Sequence, residues 1–337
     1  MKALVMHAPG DIRLESIPDP SAKPGEALLR VRRVGLCGSD LNSYRGRNPL
    51  VTYPRIPGHE IAATIVELRE RHPDFTPGMD VTLSPYSQCD YCAACRNGRA
   101  NACRRNQTLG VQRDGALAEY ISVPAQRLYR ANLDLEALCL VEPLTVGAHA
   151  VARANVTARD SVAVIGCGGV GLGAVAAAAF RGAVTVAIDV DDAKLALARE
   201  AGASHAIHSQ REALAPALAA ITGEAGPDVI IEAVGMPETF RAAVDLVAFT
   251  GRVVYIGYAK EPVTYETRLF VQKELDIRGA RNAMPEDFRQ VIDMLEHRRF
   301  PVKSAIDTIV PLDEAPQIFD AWSEHPSQFK KVMITLD

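Results

Sequence analysis

Four cysteines crowd one short segment, Cys89, Cys92, Cys95 and Cys103, with the spacing C-x2-C-x2-C-x7-C. Two-residue gaps let successive thiolates turn inward around a tight bend, and four of them close a tetrahedron around Zn(II) at about 2.3 Å. Asn97 and Gly98 supply the turn. An iron–sulfur run would bring its fourth cysteine after three residues and follow it with proline, whereas seven residues intervene here and Arg104 follows. Two disulfides would need an oxidising compartment, yet M-K-A-L-V-M-H-A-P-G holds no apolar signal core and the total of seven cysteines is odd. Cys139 and Cys167 lie in apolar runs and read as small buried hydrophobes.

Upstream, Cys37 in G-L-C-G-S-D and His59 in G-H-E-I suggest a second, open metal site that leaves one position for water or substrate. Either residue alone would more often be structural. Their neighbours give them weight: Asp40 can orient the second nitrogen of His59, and Ser39 offers a hydroxyl beside the thiolate. Glu60, next to His59, and Glu142, in V-E-P-L-T-V-G, are both open as the third ligand. One closed and one open site predict a zinc enzyme with two Zn(II) per chain.

A nucleotide site is written further along. Gly166, Gly168 and Gly171 form G-x-G-x-x-G directly after an apolar β run and at the start of a small-residue helix, with Gly169 and Val170 inside the loop. The first glycine permits the turn, the second lets backbone approach a pyrophosphate, and the third allows close helix–strand packing. Asp189 ends the next strand, where its carboxylate would accept from the adenosine ribose hydroxyls and repel a 2′-phosphate. Val190, Asp191 and Asp192 follow without a compensating arginine, so NAD is expected over NADP. Asp191 and Asp192 are the better candidates to cap the following helix.

These residues need elements to hold them. At 337 residues, two domains are expected. Residues 1–125 read as short strands broken by Pro and Gly, at Lys2–His7, Ala27–Val34, Ile61–Leu68, Asp80–Leu83 and Ala118–Val123, the pattern of an antiparallel, barrel-like domain. From about residue 146 strand and helix signals alternate, predicting a doubly wound parallel sheet. Its strands are expected at Ser161–Ile165, Thr185–Ile188, Asp228–Ala233, Arg252–Ile256 and Leu275–Arg278, and a terminal strand at Lys331–Leu336 could rejoin the first domain. A net charge of −4 leaves no footprint for nucleic acid, and the longest apolar run, Val170 to Phe180, is too short to span a membrane. A cytoplasmic location is therefore expected, with no membrane or nucleic-acid partner.

Taken in order, G-L-C-G-S-D, P-G-H-E, the four-cysteine lobe, E-P-L-T-V-G, the glycine loop and the closing strand resemble the zinc-containing medium-chain dehydrogenase/reductases over essentially the whole chain. The resemblance is to the sorbitol and sugar-acid branch, and R-N-P-L-V-T-Y-P-R-I-P-G-H-E and G-A-R-N-A-M-P-E-D-F look closest to L-galactonate 5-dehydrogenase-like enzymes. It implies an α/β protein with a GroES-like catalytic domain over 1–148 and 286–337, carrying a zinc lobe at 86–104, and a Rossmann NAD-binding domain over 149–285, with the active site in the cleft between. Cys37, His59 and Glu60 match the ligand trio of the polyol branch, and Glu142 matches a carboxylate that bonds the metal's water or exchanges with Glu60. Tyr44 and Arg281 fall where polyol dehydrogenases meet water or substrate; Asn282 stands where sorbitol dehydrogenases have an aromatic residue. The implied reaction takes a secondary alcohol of a polyhydroxylated small molecule to a ketone with NAD, in a homotetramer or homodimer. Alternatives are L-threonine 3-dehydrogenase-like oxidation of an amino alcohol and sorbitol/L-iditol oxidation.

Overall fold

The computed structural model describes every residue from Met1 to Asp337. Strand β1 (Lys2–Ala8) turns through Gly10, at a φ of 74° that suits glycine, and pairs antiparallel with β2 (Asp11–Ser16). Strand β3 (Glu26–Gly35) buries Ala27, Leu29 and Val31 on one face, the period-two pattern of a half-buried strand. After it come helix α1 (Gly38–Tyr44), strands β4 (Glu60–Leu68) and β5 (Asp80–Leu83), the single turn α2 (Ala93–Arg96), strands β6 (Tyr120–Pro124) and β7 (Leu128–Tyr129), and helix α3 (Leu135–Arg153).

Alternation then sets in: β8 (Ser161–Ile165), α4 (Gly169–Phe180), β9 (Val184–Asp189), α5 (Asp192–Glu200), β10 (His205–His208), α6 (Leu214–Thr222), β11 (Val229–Glu232), α7 (Pro237–Leu246), β12 (Arg252–Tyr255), α8 (Arg268–Gln272), β13 (Asp276–Gly279) and α9 (Pro285–Glu296). The six strands are parallel in the order β10-β9-β8-β11-β12-β13. Strand order reverses between β8 and β11, the switch point where doubly wound sheets bind ligands. Ala163, Val186, Ile188, Ile207, Ile230 and Val253 make the core beneath the helices.

The last segment, α10 (Val302–Ala305), β14 (Thr308–Pro311), α11 (Ala315–Glu324) and β15 (Val332–Thr335), joins the first sheet. That sheet runs β14-β15-β3-β4-β5-β7, with β6 also on β3, so the terminal strand lies inside it. Leu4, Met6, Leu29, Ile61, Ile65, Leu83, Leu117 and Phe319 fill its core.

Two compact units result, Met1–Glu142 with Val302–Asp337, and Pro143–Pro301. They divide the chain at 142/143 and 301/302, where 148/149 and 285/286 were expected. The first falls inside α3, whose interior Pro143 does not interrupt it. The second follows α9, because Phe288 and Val291 are buried and Asp287 Oδ2 lies 2.7 Å from His149 Nδ1 within the second unit. α3 is long and apolar enough to cross a bilayer, but 78% of its apolar window is buried, as in a core helix.

Candidate metal centres and dinucleotide loop

Within the first unit the four cysteines of the lobe converge. Cys92 precedes α2, Cys95 lies in it, and Asp90 and Gly98 turn the chain with φ of 63° and 69°. Cys92 Sγ is 3.5 Å from Cys95 Sγ and 3.9 Å from Cys103 Sγ, and none of the four forms a disulfide. A tetrahedron with zinc–sulfur bonds of about 2.3 Å has edges of about 3.8 Å, so these separations fit a ZnS4 site. Backbone N–H groups of Cys95 and Arg104 pull the Cys92 thiol down to about 6, favouring the thiolate that a metal requires.

The second cluster is built across paired strands. Cys37 sits where β3 gives way to α1; His59 directly precedes β4 and Glu60 opens it, and Gly35 of β3 faces Glu60 in the antiparallel register. One donor atom each from Cys37, His59 and Glu60 all lie within 4.8 Å of one another. Glu60 is 1% exposed, and its carboxylate fits only because residue 35 is glycine: a Cβ there would stand 2.1 Å from Glu60 Oε2. Sulfur, imidazole and carboxylate donors in a buried group suit Zn(II). Glu142 of α3 stands outside this trio.

Asp40 holds the loop more than the imidazole. Its Oδ2 accepts from the Cys37 N–H at 2.9 Å and its Oδ1 from the Gly58 N–H at 3.3 Å, whereas His59 Nδ1 is 3.7 Å from Oδ1 and makes no hydrogen bond. The expected orienting bond to His59 is thus replaced by a charge facing the ring. Burial works against charge on His59, but Asp40 and then Cys37 outweigh it and hold the imidazole well above its ordinary pKa.

Two buried partners complete the cluster, and neither was expected. The Tyr86 hydroxyl donates to Glu142 Oε1, and the Lys331 ammonium donates to both oxygens of Glu60 at 2.7 Å. Burial, opposed by His59 and reinforced by Glu60, pushes Glu142 up to about 7. Burial and the Glu142 charge raise Tyr86 well above an ordinary phenol. Tyr86 and Lys331 lie 56 and 271 residues from their partners, so no local motif marks them. The hydroxyl of Tyr44, expected at the substrate, donates to Asp320 and lies 3.3 Å from the Gly10 carbonyl oxygen, and its ring packs 5.5 Å from Phe319. Ser39 is half-buried next to Cys37, and its carbonyl accepts from Ser43 Oγ at 2.8 Å.

In the second unit the glycine loop joins β8 to α4. Gly166 turns at φ 93°, and a Cβ on Gly171 would lie 1.8 Å from the Gly166 carbonyl oxygen, so the third glycine is required for packing. Around exposed Gly168 and Gly169 a Cβ would meet nothing within 4 Å, which leaves the helix N-terminus open to a phosphate; Val170 behind them is half-buried. Asp189 ties this loop to its own strand end. Its Oδ2 accepts from the Cys167 N–H at 2.7 Å, and its Oδ1 accepts from the Val190 and Asp191 N–H groups at 2.7 and 3.1 Å. Asp191 caps α5 through the Ala193 and Lys194 N–H groups. Arg281 is exposed after β13 in this unit, and Asn282 beside it has a φ of 53°.

Comparison with known proteins agrees with this architecture. Residues 23–132 match the alcohol dehydrogenase GroES-like domain, and residues 169–297 match the zinc-binding dehydrogenase domain. An uncharacterized zinc-type alcohol dehydrogenase-like protein of Haemophilus influenzae is 32% identical, with 98% of each chain covered. The L-galactonate-5-dehydrogenase of Escherichia coli K12 is 33% identical over 91% of this chain and 94% of its own. Among solved structures, an alcohol dehydrogenase of Escherichia coli CFT073 complexed with NADH superposes with a TM-score of 0.91 at 28% identity, covering 100% of this chain and 99% of that one. The chain belongs to the zinc-type alcohol dehydrogenases, enzymes that act on alcohols with NAD(P), and its fold is the expected GroES-like domain plus Rossmann sheet.

Proposed function

We propose that this protein oxidises a secondary hydroxyl of a polyhydroxylated acid or polyol to a ketone with NAD, using Cys37, His59 and Glu60 to hold a catalytic zinc and the four-cysteine lobe to hold a structural one. The convergence of three different zinc donors in a buried cluster carries the reading. Bound zinc supplies a Lewis acid that favours the alkoxide, and bound NAD supplies the hydride acceptor. The chain's own residues do the positioning. Asp40 fixes the Cys37 loop through two backbone N–H groups. Tyr86 and Glu142 form a buried hydroxyl–carboxylate pair able to hold a proton beside the trio. Ser39 offers a hydroxyl beside Cys37 to pass a proton outward. Gly168 and Gly169 leave room for the pyrophosphate, and the Asp189 carboxylate disfavours a 2′-phosphate.

The sugar-acid class is supported by the match, across nearly the full length of both chains, to a relative named for L-galactonate. Arg281 is the proposed grip on a substrate carboxylate or vicinal hydroxyls, which a planar guanidinium can bond in parallel. A homotetramer or homodimer and a cytoplasmic location accompany this reading. Aldonates, polyols and threonine assayed with NAD and NADP, following absorbance of the reduced cofactor, test it. Turnover of a sugar acid or polyol with NAD is expected; simple alkyl alcohols or threonine outperforming them all would overturn the substrate class.

A further inference from the structure

Glu60 is asked to serve two cations. One carboxylate oxygen belongs to the trio with Cys37 and His59, yet both oxygens already accept from Lys331 Nζ at 2.7 Å, and the third ammonium proton goes to the Leu36 carbonyl at 3.2 Å. The arrangement is built by the sheet. β15 pairs with β3 so that Met333 faces Gly35, while β3 pairs with β4 so that Gly35 faces Glu60. Lys331, just ahead of β15, therefore reaches across the bare glycine to the carboxylate, and its own N–H is fixed by Asp307 Oδ1 at 2.8 Å. Its side chain is 11% exposed, so little water screens the pair.

We propose that Lys331 is a positioning residue that competes with the catalytic metal for Glu60 and so sets the grip of that carboxylate on the metal. This rests on the assignment of Cys37, His59 and Glu60 as a zinc site. A carboxylate keeps further lone pairs, but an ammonium bonded to both oxygens lowers the electron density that either can give a metal. A fixed positive charge this close also repels a divalent cation. Removing it should leave Glu60 as a permanent ligand and slow metal loss. Mere structural damage would act in the opposite direction, loosening the site, so the sign separates the two explanations.

The test is release of zinc from the full-length, zinc-loaded protein to excess chromophoric chelator at pH 8, with the phase belonging to this site identified by its absence in Cys37→Ser. Lys331→Met and Lys331→Gln are each expected to release that zinc at least about tenfold more slowly than the unmodified protein, and Lys331→Arg, which keeps the cation, to remain within about threefold of it; tenfold corresponds to about 1.4 kcal/mol. The two neutral variants guard against one of them failing to fold, which melting curves would show. Unchanged or faster release in a folded neutral variant would overturn the role of Lys331 while leaving the zinc site standing. An unmodified protein that carries a single zinc, unaffected by Cys37→Ser, would overturn the site assignment itself.

Discussion

At the scale of single residues, the members of the proposed metal cluster are bonded to one another, so none is removed without consequence. Tyr86→Phe deletes the hydroxyl bonded to the buried carboxylate of Glu142. It is expected to lower stability by about 1–3 kcal/mol, the cost of an unsatisfied buried polar group. Zinc content should stay at two per chain, because the phenol supplies no ligand. Denaturant unfolding and elemental analysis of the same preparation check both halves. Asp189→Ala removes an acceptor of three backbone N–H groups as well as the negative charge at the proposed ribose position. We expect weaker NAD binding, a narrowed preference over NADP, and a lower melting temperature without cofactor. A variant with native melting behaviour would show that the tie between glycine loop and strand end carries no stability. Cys37, His59, Glu60 and the glycines were legible in the sequence because their partners lie in short motifs. Lys331 and Tyr86 were not, because only strand register and burial bring them to the cluster.

At the scale of elements, short runs with strong local signals were the readable ones. β5 and β8 occupy the expected residues, Asp80–Leu83 and Ser161–Ile165, since turn residues bound each apolar run. β10, where His205 and His208 bracket a single Ala-Ile pair, and β2, with no fully buried residue, carried too little pattern to stand out. Helix α3 hid the unit border because its buried face continues through Pro143 into the second unit. The lobe is an element too small to have a core of its own: α2 spans four residues and buries none of them. Cys95→Ser is accordingly expected to lose one zinc and several degrees of melting temperature, since metal binding there substitutes for packing. Full metal content with unchanged melting would contradict a zinc lobe. Gly171→Ala tests the opposite kind of contact, a helix pressed onto the loop before it. With a Cβ placed 1.8 Å from the Gly166 oxygen, a loss of at least about 2 kcal/mol and of measurable NAD binding is expected, read by calorimetry with and without NAD.

At the scale of the whole molecule, the stability of the second unit should carry an acid limb traceable to one pair. Burial works to raise the pKa of Asp160, but hydrogen bonds from the Thr157 N–H and from Arg252 outweigh it and hold the carboxyl below its ordinary value. The unfolded chain therefore takes up this proton at higher pH than the folded one. The pair's contribution is complete above about pH 4, the value for an unfolded aspartate, and is lost as pH falls through the lower folded value. Asp160→Asn should melt lower than the parent at pH 7 and lose less on acidification, so parallel melting curves from pH 6 to pH 3 would refute the assignment.

The position of β15 between β14 and β3 in the first sheet has a consequence for how the protein comes into being. Every side chain of the proposed zinc trio, together with Tyr86 and Glu142, leaves the ribosome before the second unit has been made, whereas Lys331 and the strand behind it emerge only after that unit. At about 5–20 residues per second the nascent ligands wait for many seconds without the ammonium that balances Glu60. On the proposed assignment, a nascent chain that meets zinc in that interval would take it up without an internal competitor, and the later arrival of Lys331 would loosen its hold.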